Sequence, residues 1–121
     1  MAINGSICMP RIPEQKWEWF GSPLHFICAS YCKFHLGTKI GKYLVSTVGE
    51  MYIDREHEKL SRMEQIGCDR LFETFVFYAI GTCKEGCCPR FTGNEIDSLP
   101  ANDRKTANRN HLKLCRKYAK Q

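Results

Sequence analysis

The stretch Cys32-Lys-Phe-His-Leu-Gly-Thr-Lys-Ile40, then Gly41-Lys42, then Tyr43-Leu-Val-Ser-Thr-Val48, decides the architecture. Cys32, Phe34, Leu36, Thr38 and Ile40 alternate with Lys33, His35, Gly37 and Lys39. A period of two is that of a strand with one buried face, because successive side chains point to opposite sides. Gly41-Lys42 fits a two-residue turn whose glycine takes the positive φ that tight hairpins need. The register that follows sets Ile40 opposite Tyr43, Thr38 opposite Val45 and Leu36 opposite Thr47.

Working outward, Leu71 to Ile80 is rich in β-branched and aromatic residues and reads as a central strand ended by Gly81. Between hairpin and strand, Asp54 caps a helix over about 55–66, with His57, Leu60, Met63 and Ile66 inward and Gly67 as its stop. Before the hairpin, Ser22-Pro23 starts a short helix over about 23–31. Residues 1–22 are irregular, and within them Trp17-Glu-Trp19-Phe20 forms a short strand or plugs one end of the core. Residues 89–102, with Pro89, Gly93 and Pro100, form a polar connection. Asn102 or Asp103 caps a last helix reaching about Lys120, with Ala107, His111, Leu114, Cys115 and Tyr118 as its inward stripe. The expected fold is therefore a single α+β domain over 1–121. Its antiparallel sheet has three or more strands, and two or three helices cover one side.

The stretch from Cys83 onward carries the chemistry. Cys83-Lys-Glu-Gly-Cys87-Cys88-Pro89 is followed, after the polar connection, by His111-Leu-Lys-Leu-Cys115. Cys-x4-Cys followed by His-x3-Cys lies within the spacing of structural zinc sites. Positions i and i+4 share one helix face, so His111 and Cys115 can act together. The expected ligands of a structural zinc are Cys83, Cys88, His111 and Cys115, with Cys87 competing for the place of Cys88. Such a clip would close the polar loop and dock the last helix, stapling the fold. The alternative is that His111 and Cys115 are buried residues of an amphipathic helix. A second cluster, Cys28-x3-Cys32-x2-His35, is weaker, because Cys32 and His35 face opposite sides of a strand. Cys8 and Cys68 have no local partner.

The chain has eight cysteines and no recognisable secretory signal. A reducing cytoplasm is therefore the expected setting, and clustered cysteines there favour metal over disulfides. No run approaches the ~18 apolar residues of a membrane helix. Residues 1–83 carry nine Lys/Arg and nine Asp/Glu, whereas 84–121 carry nine and four. The whole net charge of +5 thus sits in the last third. Arg104, Lys105, Arg109, Lys113, Arg116 and Lys117 point to an acidic partner surface, either nucleic acid or an acidic protein. Phosphate loops, nucleotide-binding glycine patterns and the zinc-deaminase, Gly-x-Ser-x-Gly and His-Glu-x-x-His motifs are all missing from the sequence. A small enzyme using Glu73 or a histidine is therefore the third functional reading, behind two kinds of binding protein.

Several blocks, Trp17-Glu-Trp19-Phe20-Gly21-Ser22-Pro23, Cys32-Lys-Phe-His35-Leu, Tyr43-Leu-Val-Ser-Thr-Val-Gly49-Glu50 and Phe72-Glu73-Thr-Phe-Val-Phe, resemble small uncharacterised proteins of bacteriophages and prophages. The closing His111-x3-Cys115-x-Lys-Tyr-Ala is similar too. The resemblance implies no catalytic residue. It implies a bacterial cytoplasm and stoichiometric binding of a host protein, nucleic acid or nucleoprotein, such as a CRISPR-type defence complex.

Overall fold

The computed structural model of the chain describes residues 11–21, 32–52, 63–66, 69–86 and 88–120. The strands are β1 (Glu18–Phe20), β2 (Cys32–Ile40), β3 (Tyr43–Tyr52), β4 (Met63–Glu64), β5 (Phe72–Thr82), β6 (Pro89–Phe91) and β7 (Asp97–Ala101). One helix, α1 (Arg104–Ala119), follows them, and a short 3-10 turn spans Glu14–Lys16. All pairings are antiparallel, in the order β1-β2-β3-β5-β6, with β4 beside β3 and β7 beside β5.

The hairpin forms as its alternation requires. Ile40 lies opposite Tyr43, Thr38 opposite Val45 and Leu36 opposite Thr47. Gly41 has φ +59 and Lys42 has no positive φ, the pattern of a II′ turn, whose twist suits the flanking strands. The strand read at 71–80 is β5, and it lies between β3 on one edge and β6 and β7 on the other.

Two long pairings are interrupted. β3 pairs with β5 as far as Gly49 opposite Phe72, then with β4 from Met51 opposite Glu64. Glu50, between them, takes φ 55. On the far edge of β5, Thr92 N–H donates to Tyr78 O at 3.0 Å and Ile96 N–H to Val76 O at 2.8 Å. β6 and β7 are therefore two pieces of one edge strand. The result is a meander that curls into a half-barrel, with α1 folded back across one face.

Both faces of the central strands are buried. On the helix side, Ile40, Tyr43, Val45 and Val76 pack with Leu114, Cys115, Tyr118 and Ala119, beside a second cluster of Phe72, Ala101 and Ala107. On the other side, Leu44 and Phe77 pack with Phe20, Phe75, Cys88 and Phe91. Each fully buried aliphatic or aromatic side chain contributes roughly 1.5–3 kcal/mol, so the middle of the sheet dominates the hydrophobic term.

Three expectations are corrected. Among the described residues there is one α-helix and seven strands, so the chain is mainly a sheet, with fewer helices than the two or three expected. The helix read over 55–66 ends in strand β4, its earlier part lying outside the described residues, as does the helix read over 23–31. The polar connection 89–102 contains β6 and β7. Their short apolar content hid them, because an edge strand with one solvent-facing side needs few apolar residues. Pro100 is tolerated there since an edge position needs no ladder donor. Among the described residues the cysteines and histidine expected to staple the fold are not gathered into one metal-holding group.

Gly49 sits between Phe34 on β2 and Phe72 on β5, whose rings meet edge to face at 5.4 Å. A Cβ at Gly49 would fall inside the Phe72 ring's van der Waals envelope. We expect Gly49→Ala to lower stability by about 1–3 kcal/mol through overpacking. Urea unfolding measures it, and an unchanged midpoint contradicts it.

Candidate functional site

The helix begins where Asp103 accepts from Thr106 N–H at 2.8 Å and from Thr106 Oγ1 at 3.0 Å. Its cap is one of the two residues the sequence offers. Arg116 and Lys117 fall in the last turn, where cations suit the negative end of the helix dipole. The inward residues are Ala107, His111, Leu114, Cys115, Tyr118 and Ala119, the stripe read from the sequence with one residue added.

A polar cluster lies inside this apolar seam. His111 is fully buried. Its Nε2 is 2.8 Å from Thr38 Oγ1 on β2, and its Nδ1 is 2.7 Å from Thr47 Oγ1 on β3. Thr47 Oγ1 continues to Thr74 Oγ1 on β5 at 2.7 Å. Cys115 is also hydrogen-bonded to Thr38. Hydroxyls both donate and accept, so either tautomer of a neutral imidazole satisfies both ring nitrogens. Burial pushes the His111 pKa down to about 4, so the ring is neutral near pH 7. Burial pushes the Cys115 thiol up to about 12, and its bond to Thr38 offsets this only in part.

Ion pairs fix the two margins of the helix. Arg104 holds Glu50 with two parallel bonds, from Nε to Oε2 and from Nη2 to Oε1 at 2.7 Å. Those bonds keep the Glu50 carboxyl below its usual range despite its burial. They also act on the residue whose left-handed backbone marks the partner change in β3. At the other end, Asp97 accepts from Lys117 Nζ at 2.7 Å and Tyr118 OH at 2.9 Å. Burial works against the Asp97 charge, but these donors and the Ser98 N–H outweigh it and hold the carboxyl low. Asn110 Nδ2 donates to Pro100 O at 3.0 Å, and Ile12 N–H to Ala119 O at 2.7 Å.

The expected zinc ligands divide into two separate pairs. Cys83 and Cys88 meet across the β5–β6 turn, their sulfurs 3.5 Å apart. His111 and Cys115 are sealed under the helix, with Cys115 packed beside Val76. Cys83 lies seven positions beyond Val76, just past the end of β5, about 23 Å of extended chain away. His111 has no nitrogen left for a metal, and Cys115 is held as a thiol. Among the described residues no group of three or more His, Cys, Asp or Glu is placed to hold a metal ion. Cys87, Cys28, Cys8 and Cys68 lie outside the described residues, and Cys32 is buried with Val48 and Met51. Glu73 is buried on β5 with Arg70 at 3.7 Å.

The six predicted basic residues are all exposed and split into two roles. Arg104 and Lys117 lie at the helix margins, neutralised by Glu50 and Asp97. Lys105, Arg109, Lys113 and Arg116, with Lys120 at the C-cap, fall within an arc of about 80° opposite the buried stripe. Among the described residues Lys105, Arg109 and Lys113 make no ion pair, while Arg116 meets Glu14 at 3.5 Å. Residues 104–120 contain no Asp or Glu. Sequence reasoning missed Thr38, Thr47, Thr74, Glu50 and Asp97 as the groups that seat the helix. The one available signal was threonine on the inward positions of the hairpin. No protein-family model matches the chain, and neither a curated protein nor a solved structure does.

Because the His111 pKa is lowered, the unfolded chain takes up a proton between about pH 6.5 and 4 that the folded one refuses. Stability is therefore full above that window and falls through it as pH drops, by up to about 3 kcal/mol. We expect the urea midpoint to drop from pH 7 to pH 4.5, and His111→Gln to be less stable at pH 7 with a flatter profile. A variant whose pH dependence equals that of the parent contradicts this.

Proposed function

We propose that the protein is a stoichiometric binding protein that engages a polyanion of the nucleic-acid type through the outward face of α1. The observation supporting this most directly is the stripe Lys105, Arg109, Lys113, Arg116 and Lys120 on an acid-free helix. Its length, about 22 Å, follows from the helical rise of 1.5 Å per residue. One strand of a duplex carries a phosphate about every 3.4 Å, so several contacts fit along it. The Arg116–Glu14 pair has both side chains more than half exposed, and a phosphate can replace Glu14 at little cost. Cations of this kind contact backbone rather than base edges, so binding is largely independent of sequence. Trp19, 52% exposed and 5.5 Å from the His111 ring, offers a stacking surface beside the helix.

This reading fits the phage-type accessory role that the sequence resemblance implies, in which such a protein occupies a host nucleic acid or a nucleic-acid-guided defence complex. A second reading, a protein partner, is favoured by Tyr78 and Ile80, exposed by 44% and 56% on β5. No helix among the described residues is long and apolar enough to cross a membrane.

Fluorescence anisotropy with labelled DNA and RNA, titrated across salt, tests the proposal. Four or five phosphate contacts give log K against log salt a slope of about −3 to −4.5. The triple variant Lys105→Glu, Arg109→Glu, Lys113→Glu loses binding by at least about tenfold at an unchanged melting temperature. Arg104→Ala lowers the melting temperature instead. No salt-dependent complex overturns the nucleic-acid reading. A host protein captured at high salt and lost in Tyr78→Ser, Ile80→Ser supports the second.

A further inference from the structure

The β5–β6 connection carries chemistry that the helix face does not use. Cys83 follows the last residue of β5, and Cys88 precedes β6. Cys83 N–H donates to Cys88 O at 2.8 Å, and Gly86 N–H to Cys83 O at 2.9 Å, which closes the turn. Gly86 supplies a φ of +77 that other residues rarely adopt. This backbone brings the two sulfurs to 3.5 Å, with Cys88 as donor, and adds Cys88 N–H at 3.4 Å from Cys83 Sγ. Both residues are partly exposed. The other two described cysteines differ. Cys32 and Cys115 are buried, and Cys115 has no solvent exposure at all. Reactivity in thiols follows exposure and support of the thiolate, and both favour this turn.

We propose that Cys83 and Cys88 form a redox modification site, a dithiol that closes to an intramolecular disulfide by exchange with a small-molecule disulfide. Two donors converge on the Cys83 sulfur, so Cys83 attacks first. Its thiolate displaces one thiolate from the small disulfide and becomes a mixed disulfide. The Cys88 thiolate then attacks the Cys83 sulfur and releases the second small thiol. Two protein thiols lose two protons and two electrons, and the small disulfide is reduced to two thiols. The new bond ties the end of β5 to the start of β6, next to the cluster of Leu44, Phe77 and Phe91 that Cys88 joins.

The test uses the full chain, oxidised glutathione, alkylation and peptide mapping. Trypsin cuts after Lys84 and Arg90, so Cys83 and Cys88 fall in different peptides. The expected product is a Cys83–Cys88 link reversed by dithiothreitol, forming at least about tenfold faster than Cys115 is modified. It persists in Cys87→Ser and disappears in Cys88→Ser, with circular dichroism confirming that both variants fold. The proposal is overturned if Cys83 stays alkylatable, stops at the glutathione adduct, or links equally well in Cys88→Ser. A tightly held metal ion that protects both thiols from oxidation also overturns it.

Discussion

One buried imidazole holds the helix to the sheet. Apolar contact alone would let α1 slide or roll, because its inward residues are mostly small or smooth: Ala107, Leu114, Cys115 and Ala119. Hydrogen bonds are directional, and a buried polar atom without a partner costs about 1–3 kcal/mol. His111 spends both nitrogens on hydroxyls from adjacent strands, and Thr47 extends the chain of bonds to a third. Any displacement of the helix along or around its axis breaks several of these bonds at once. The network therefore sets one register where the hydrophobic seam would accept several, and the ion pairs at Glu50 and Asp97 confirm it at the two ends.

The local periods were legible in the sequence, and the long-range partners were not. Alternation over 32–40 and the glycine turn gave the hairpin and its register, because both are short-range properties of the chain. The inward stripe of α1 followed from spacing in the same way. β6 and β7 escaped notice because an edge strand carries little hydrophobic signal. The six basic positions were visible, but their division into anchors at the helix margins and cations of the outward stripe depends on Glu50 and Asp97, which come from two different strands. No spacing rule connects Glu50 to Arg104 across fifty-four residues.

The cysteine and histidine pairs show how one signal can have two physical origins. His-x3-Cys places two donors on one helix face, which is what a metal requires and also what burial produces. Here His111 is fully buried and threonine hydroxyls on β2 and β3 occupy both ring nitrogens, the arrangement burial produces. The Cys83–Cys88 pair does converge, since a closed turn brings its ends together whatever their eventual chemistry. Convergence of two ligands needs only a hairpin, whereas convergence of four needs the helix to end near that hairpin. Here β5 runs on past the seam by several residues, leaving its Cys83 end away from His111 and Cys115.

The same anchoring bears on what the outer face can do. A cationic tail without a fold would lose conformational freedom on meeting a phosphate lattice, and that loss weakens binding. In this chain the helix is already seated by bonds on its opposite side, so its backbone has little left to order. Arg104 and Lys117 contribute by not joining the outward stripe: paired at the margins, they spend their charge on position. Lys105, Arg109 and Lys113 can then stand close together on one face, where their mutual repulsion is tolerated because the seam beneath supplies the stability. A like-charged stripe of this kind destabilises an isolated helix by a few tenths of a kcal/mol per neighbouring pair. Its presence on a helix held from below is what ties the buried network to the proposed binding face.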